Sequence, residues 1–566
     1  MAVRKHLTCP IRLYDYGHTL VTSEKAPATA PATTPRSASS WWVWALLILI
    51  LLTTAAIRFR LRDMPLERDE GEYAYAGQLI LEGIPPYQLA YNMKFPGTYV
   101  SYAAIMAVFG QTPAGIRLGL ILVNTGVILL VFLLTKRLSN STAGLIAAAV
   151  YAFASLCEKS YGLAGHATHF VILSALGGLL LLLRGIERRS LLTLFWSGVL
   201  LGLGVLMKQH GVFFVAFTTC FLYYQHRSGG QTGWKEILRQ GAALTLGIWV
   251  PLILTGFWLW HAGVFGKFWF WTVQYAHEYA TENPPADIIF KNLRQEVPKV
   301  VYVSLCFAVA GLMLFRRQAD RNRVAFAAGL LGFSILAVMP GFNFRGHYFI
   351  LLFPALALLT GIAISGSRQF FLDRQQPVRA ALSMVLFLGF LGWGMVREGK
   401  LFFRDTPVEA SRLLYGPTNP FTESIPIAEY LKTHAAKDAR IAILGSEPQI
   451  YFYSRLHSAT GYIYTYALME PQPFSMRMQK EMISEIETAR PDYLVWVQVK
   501  TSWLNHPGSD TTIFGWADQY TAAHYDTVGI VDMYRGGTDF FWDAEAKGKL
   551  PASKVNLCIY KRKDLP

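Results

Sequence analysis

Residues Trp41 to Tyr75 read WWVWALLILILLTTAAIRFRLRDMPLERDEGEYAY. The part from Trp41 to Ile57 carries no charge, and a helix crossing the hydrocarbon core of a bilayer needs about 20 mostly apolar residues. It begins too late in the chain for an ordinary signal peptide, so it reads as an uncleaved first span. Acids follow it at once: Asp63, Glu67, Asp69, Glu70 and Glu72, the last of these opening a helix-like stretch to Glu82. A span leading into an acidic outer loop is the pattern from which the rest is read.

Further runs of spanning character follow at about 114–135, 143–157, 167–183, 191–207, 211–224, 240–260, 298–315, 324–340, 347–365 and 378–396. With the first they make eleven, and Tyr99 to Phe109 suits a helix lying at the interface. The composition agrees. Of 566 residues 53% are apolar or aromatic and 16% charged, with mean hydropathy +0.30, whereas soluble domains carry roughly 25% charged residues. The net charge of +15 sits in short clusters between apolar runs rather than on one face, which argues against a nucleic-acid partner.

Basic clusters occupy every second loop: Lys136/Arg137, Arg184/Arg188/Arg189, Arg227/Lys235/Arg239, Arg316/Arg317/Arg321/Arg323 and Arg368/Arg374/Arg379. Cytoplasmic loops attract such clusters. This orientation puts residues 1–40, with the low-complexity run Ala26 to Pro35, in the cytoplasm as a flexible tail. A transmembrane domain over 41–396 then sends outer loops 58–98 and 261–297 to the opposite side. Residues 397–566 join them as a soluble extracytoplasmic α/β domain, with strands near 440–444, 493–499, 530–534 and 555–560 and helices near 423–436 and 473–489. Arg58, Arg60 and Arg62 are the one conflict, lying on the outer side. The five cysteines form no CxxC or Cys/His metal spacing, and Cys558 stands alone in the outer domain.

Asp69, Glu70 and Glu72 place three carboxylates within four residues just beyond a span, able to bind a cation or act as a base. Acids also favour helix N-termini for dipole reasons. Lys208, between two apolar runs, is a charge that lipid disfavours, and snorkelling is its bland alternative. Arg345 and His347 are two residues apart in a short outer loop and can converge on a phosphate. His166 and His169, at i,i+3, could share a helix face, although two imidazoles without a third ligand are weak evidence for metal. Tyr275 and Glu278 in the long outer loop offer a stacking ring and a hydroxyl acceptor; the neighbouring Trp269 and Trp271 read as an interfacial belt.

Together these pieces resemble the GT-C membrane glycosyltransferases, in the bacterial protein-mannosyltransferase and aminoarabinose-transferase-like group (glycosyltransferase family 39 type). Asp69-Glu70 with Tyr73 and Tyr75, Lys94-Phe95-Pro96, Lys208-Gln209 and His347-Tyr348-Phe349 ahead of Pro354 carry the likeness. Gly445-Ser446-Glu447-Pro448 and Tyr462 to Tyr466 add to it. Met93 stands where some members have an acid, Gly97 where the second proline of Lys-Pro-Pro falls, and His166/His169 where many relatives have acids or Asn.

The resemblance implies a GT-C-like bundle of about 11–13 transmembrane helices in the bacterial inner membrane, with its active site on the periplasmic face. It implies transfer of a sugar from a polyprenyl-phosphate carrier to the hydroxyl of a cell-envelope glycan, lipid or protein, with inversion. Asp69 would be the base and Glu70 its assistant. Lys94, Lys208, Arg345 and His347 would hold the donor phosphate, and Glu72, His166, His169, Tyr275, Glu278 and Tyr348 would line substrate or metal. A divalent cation, Mg or Mn, stays open. The alternatives are a polymerase or ligase using a polyprenyl-pyrophosphate donor and, at a further remove, a secondary transporter.

Overall fold

A computed structural model describes residues 41–228, 233–281 and 285–564. The expected tail, residues 1–40, lies outside the described residues. Among the described residues, eight helices are long and apolar enough to cross a membrane: Trp41–Arg60, Pro113–Leu138, Ala167–Arg188, Trp234–His261, Lys299–Arg316, Arg321–Val338, Phe353–Asp373 and Pro377–Arg397. This is a multi-pass membrane protein. Three of the expected spans form shorter helices, Ser141–Ala154, Leu191–Met207 and Val212–Ser228. Gly97–Phe109 is the short apolar helix expected at an interface. The run starting at 347 turns first as a tight 3-10 segment, Gly346–Leu351, and becomes a helix at Phe353, where Pro354 sits in the first turn and needs no N–H partner.

Local signals set the helix ends. Thr112, Asn140 and Ser190 each cap the following helix by accepting a backbone N–H, and Lys136 and Arg137 close the last turn of Pro113–Leu138. Helices Leu191–Met207 and Trp234–His261 touch backbone to backbone. A Cβ on Gly198 would lie 2.2 Å from the Leu244 carbonyl oxygen, and one on Gly247 would lie 2.1 Å from that of Phe195. In lipid, where apolar surface gains little by being covered, such small-residue contacts are what bring helices together. Helix Trp41–Arg60, by contrast, leaves Trp41, Ile48, Leu49 and Leu52 exposed, as a lipid-facing helix should.

The arginines that break the charge alternation are mostly spent inside the protein. Arg58 is buried and donates to the carbonyls of Gly162 (2.7 Å) and Ser155 (3.2 Å). Arg60 donates to Leu401, Phe402 and Asp405 carbonyls. Their role is to tie loops together, so they say little about sidedness.

The C-terminal part holds a six-stranded mixed sheet, β1 (Arg440–Leu444), β2 (His457–Ser458), β3 (Tyr493–Gln498), β4 (Tyr525–Met533), β5 (Thr538–Trp542) and β6 (Asn556–Arg562). Its order is β2-β1-β3-β6-β4-β5, parallel at β1/β2 and β1/β3 and antiparallel elsewhere. Alternation along β1 sends Ile441 and Ile443 towards Ile427 and Leu431, and Ala442 and Leu444 towards Met478, Met482 and Ile486. Helices thus cover both faces. The first of these clusters continues without a break into Leu66, Tyr73, Tyr75 and Leu79, so the acidic outer helix and the sheet share one core.

Candidate functional site

The acidic stretch folds as the helix Arg68–Leu81. Glu67 caps it, its two carboxylate oxygens accepting the amides of Asp69 (3.0 Å) and Glu70 (2.9 Å). Successive residues of a helix project about 100° apart, so neighbouring acids face different surroundings. Glu70 is fully buried and grips the guanidinium of Arg117 while accepting the amide of Gly165 at 2.5 Å. Both of its carboxylate oxygens are held by Arg117, and Lys94 and Tyr464, which hold Asp69, do not reach it.

Asp69 is partly open. Its Oδ1 accepts from Lys94 Nζ (2.9 Å) and from the Tyr464 hydroxyl (3.1 Å), while Oδ2 lies 3.9 Å from His166 Nδ1. Burial alone would raise its carboxyl, but the Lys94 ammonium beside it outweighs this and holds Asp69 below the usual carboxylate range. Glu67 behaves oppositely: burial, reinforced by the charge of Asp69, pushes it up to about 8. The two acids therefore divide into one ionised and one protonated at neutral pH. Glu72, raised by burial, is tied to Lys94 (2.6 Å) and the Tyr99 hydroxyl (2.5 Å), so Lys94 bridges two carboxylates.

Lys208, Arg345 and His347 converge from separate loops. Lys208 ends helix Leu191–Met207 with Nζ 4.0 Å over the Tyr348 ring. Burial lowers it to about 7 against the pull of Asp69. Among the described residues neither Lys208 nor the exposed Arg345 has a carboxylate partner. The His347 ring stacks on His166 at 4.1 Å, and burial depresses both, His166 to about 3, so both are neutral.

Asp69, His166 and His347 bring one ligand atom each within 4.8 Å of one another, and both ring nitrogens of His166 lack a hydrogen-bond partner. An imidazole-rich set fits a transition metal such as Mn better than Mg, which prefers oxygen ligands. His169 stays apart, its Nε2 3.0 Å from the Gly162 carbonyl oxygen. Tyr275 contacts Glu470 through its hydroxyl, and Glu278 is half-buried on the helix Ala276–Thr281. Tyr348 is buried against Lys208, His347 and His210. Sequence reasoning missed Glu67 and His210, although Glu67 stands in the N-cap position and His210 is next but one to Lys208. It also missed the placement of Tyr464.

Residues 96–258 match the family model described as dolichyl-phosphate-mannose-protein mannosyltransferase. No curated protein matches the chain in sequence. Among solved structures, ArnT from Cupriavidus metallidurans bound to undecaprenyl phosphate superposes with a TM-score of 0.57 at 14% identity, over 92% of this chain and 98% of that one. The Archaeoglobus fulgidus oligosaccharyltransferase tethered to an acceptor peptide gives 0.51 at 13% identity, covering 91% and 75%. The mycobacterial arabinofuranosyltransferase AftD gives 0.51 at 12% identity, covering 92% of this chain and 40% of that one. The likeness expected from sequence is borne out: the chain has the GT-C fold of membrane glycosyltransferases.

Proposed function

We propose that the protein transfers a sugar from a polyprenyl-phosphate carrier to an acceptor hydroxyl on the periplasmic side of the bacterial inner membrane. The observation that supports this reading is Asp69, held ionised beside Lys94, together with Lys208 and Arg345, which have no carboxylate partners among the described residues. A sugar on a lipid phosphate already has a good leaving group. Lys208 and Arg345 meet the charge that grows on the phosphate as the bond breaks, and neutral His347 can donate a hydrogen bond. Asp69 takes the proton of the attacking hydroxyl. With Glu70 locked on Arg117 and Glu72 held by Lys94 and Tyr99, a single displacement with inversion is the supported course.

Lys94 has a further part in this reading. While it grips Asp69 it weakens that carboxylate as a base, and an arriving phosphate competes for the same ammonium. A phosphate that shares the ammonium draws on its charge and so strengthens the base, while the hydrogen bond from Lys94 to Asp69 Oδ1 stays in place. His166, His347 and Asp69 would hold a divalent cation, which would add positive charge beside the phosphate.

The test is to incubate the purified protein in detergent with radiolabelled polyprenyl-phosphate sugars, with and without chelator, and to follow loss of sugar from the lipid. Consumption of one donor supports the reading. Consumption only of pyrophosphate-linked glycans would replace it with the polymerase alternative.

A further inference from the structure

Tyr464 belongs to the C-terminal part of the chain, yet its hydroxyl reaches Asp69 in the first outer loop, 395 positions away. We infer that the C-terminal domain supplies a positioning residue to the reaction: Tyr464, with Lys94, fixes Asp69 Oδ1 so that Oδ2 is the oxygen presented to the acceptor hydroxyl. This rests on the transfer reading above.

Two donors on one carboxylate oxygen define its rotamer, and the Tyr464 hydroxyl donates to Asp69 at 3.1 Å. The tyrosine is itself held from both sides. The next residue, Thr465, donates its amide to Ser446 Oγ (2.9 Å) and its hydroxyl to the Ser502 carbonyl (3.1 Å), which pins it to the ends of β1 and β3. Tyr466 packs edge-on to the Tyr464 ring at 4.7 Å and donates its hydroxyl to the Thr501 carbonyl. Those strand ends are in turn fastened to the acidic helix. Arg68 donates to the Ser446 carbonyl (2.5 Å), to Glu447 (2.6 Å) and to the Tyr466 hydroxyl (2.9 Å). A Cβ on Gly71 would lie 2.6 Å from the Gln449 amide nitrogen, so helix and domain meet with no spare room. Asp69 and Tyr464 are therefore carried on two surfaces whose separation is set by rigid contacts on either side. That is the arrangement needed to hold a general base within a fraction of an ångström.

The test compares wild type, Y464F and Y464A in the donor-consumption assay, with H457A as control. His457 pairs with Glu82 on the exposed rim of the same contact and lies away from Asp69. Y464F keeps the ring and its packing. It should lower kcat about ten-fold, the effect of one hydrogen bond to a charged group, with the donor KM within two-fold and the melting temperature unchanged. Y464A should lose at least as much in kcat, and H457A should match wild type. A Y464F kcat within two-fold of wild type overturns the inference. So does a Y464F protein that melts several degrees lower with kcat and KM worsening together, because that assigns the residue to docking alone. A wild-type protein that consumes no monophosphate donor removes the transfer reading itself, and this inference with it.

Discussion

Asp69 and Glu70 are consecutive residues in the first turn of one helix, and their surroundings could hardly differ more. Glu70 sits in a sealed pocket where Arg117 and the Gly165 amide answer its charge in full. Asp69 is partly exposed, its Oδ1 bound by Lys94 and Tyr464, with Lys208 close enough to act on its charge and without a carboxylate partner among the described residues. The first arrangement is what a protein does with a charge it must hide. The second keeps charge in reserve for a ligand, and only a site that expects an anion has reason to leave it so.

Substitutions should separate the two. Asp69→Asn keeps shape and removes the base, so kcat should fall by about 10²–10⁴ with the fold intact, measured as sugar released from the lipid alongside thermal melting. Glu70→Gln should do the converse. It leaves the Arg117 guanidinium buried without its counter-charge and should cost roughly 3–5 kcal/mol of stability, read from a denaturation midpoint. If Glu70→Gln melts like wild type but fails to turn over, the contrast between the two acids is broken. Arg345→Ala should raise the donor KM about 10-fold or more, as expected for losing a charge-assisted contact to phosphate, with smaller change in kcat once donor is saturating.

The smallest effect concerns pH. Lys208, lowered by burial to about 7, carries its charge below that value and loses it above. Donor affinity should therefore weaken several-fold as pH rises from about 6 to 8, and Lys208→Arg, which stays charged, should flatten the dependence.

Much of this was legible in the sequence, because the bilayer imposes a coarse and one-dimensional rule. Apolar runs announced the helices from Trp41–Arg60 to Pro377–Arg397, and β1, β3 and β6 were visible as short β-branched or aromatic runs. Where the reading fell short, three-dimensional contacts decided. β2 is two residues long and exists through its pairing with β1, and β5 through its antiparallel pairing with β4. Helix Thr512–His524 has only a weak apolar pattern, and Ile513 and Ala517 anchor it on the sheet. The grouping of Asp69, Lys94, Lys208, Arg345 and His347 as one candidate site rested on resemblance. Nothing in the spacing of Asp69 and Glu70 showed which would face the cavity, since either register of the helix leaves one of them turned inward. Arg117 was hidden in an apolar run and His166 beside another, so neither advertised its partner.

The contact between Arg68 and Ser446 spans 378 positions of chain. At synthesis rates of roughly 5–20 residues per second, the acidic helix emerges some tens of seconds before the strand ends that clasp it. Throughout that interval Arg68 has no Glu447 to meet it and Asp69 has no Tyr464. A nascent chain therefore carries its acidic helix for that interval without the contacts that fasten Arg68 and Asp69, and they form only when the last-made part closes over the first.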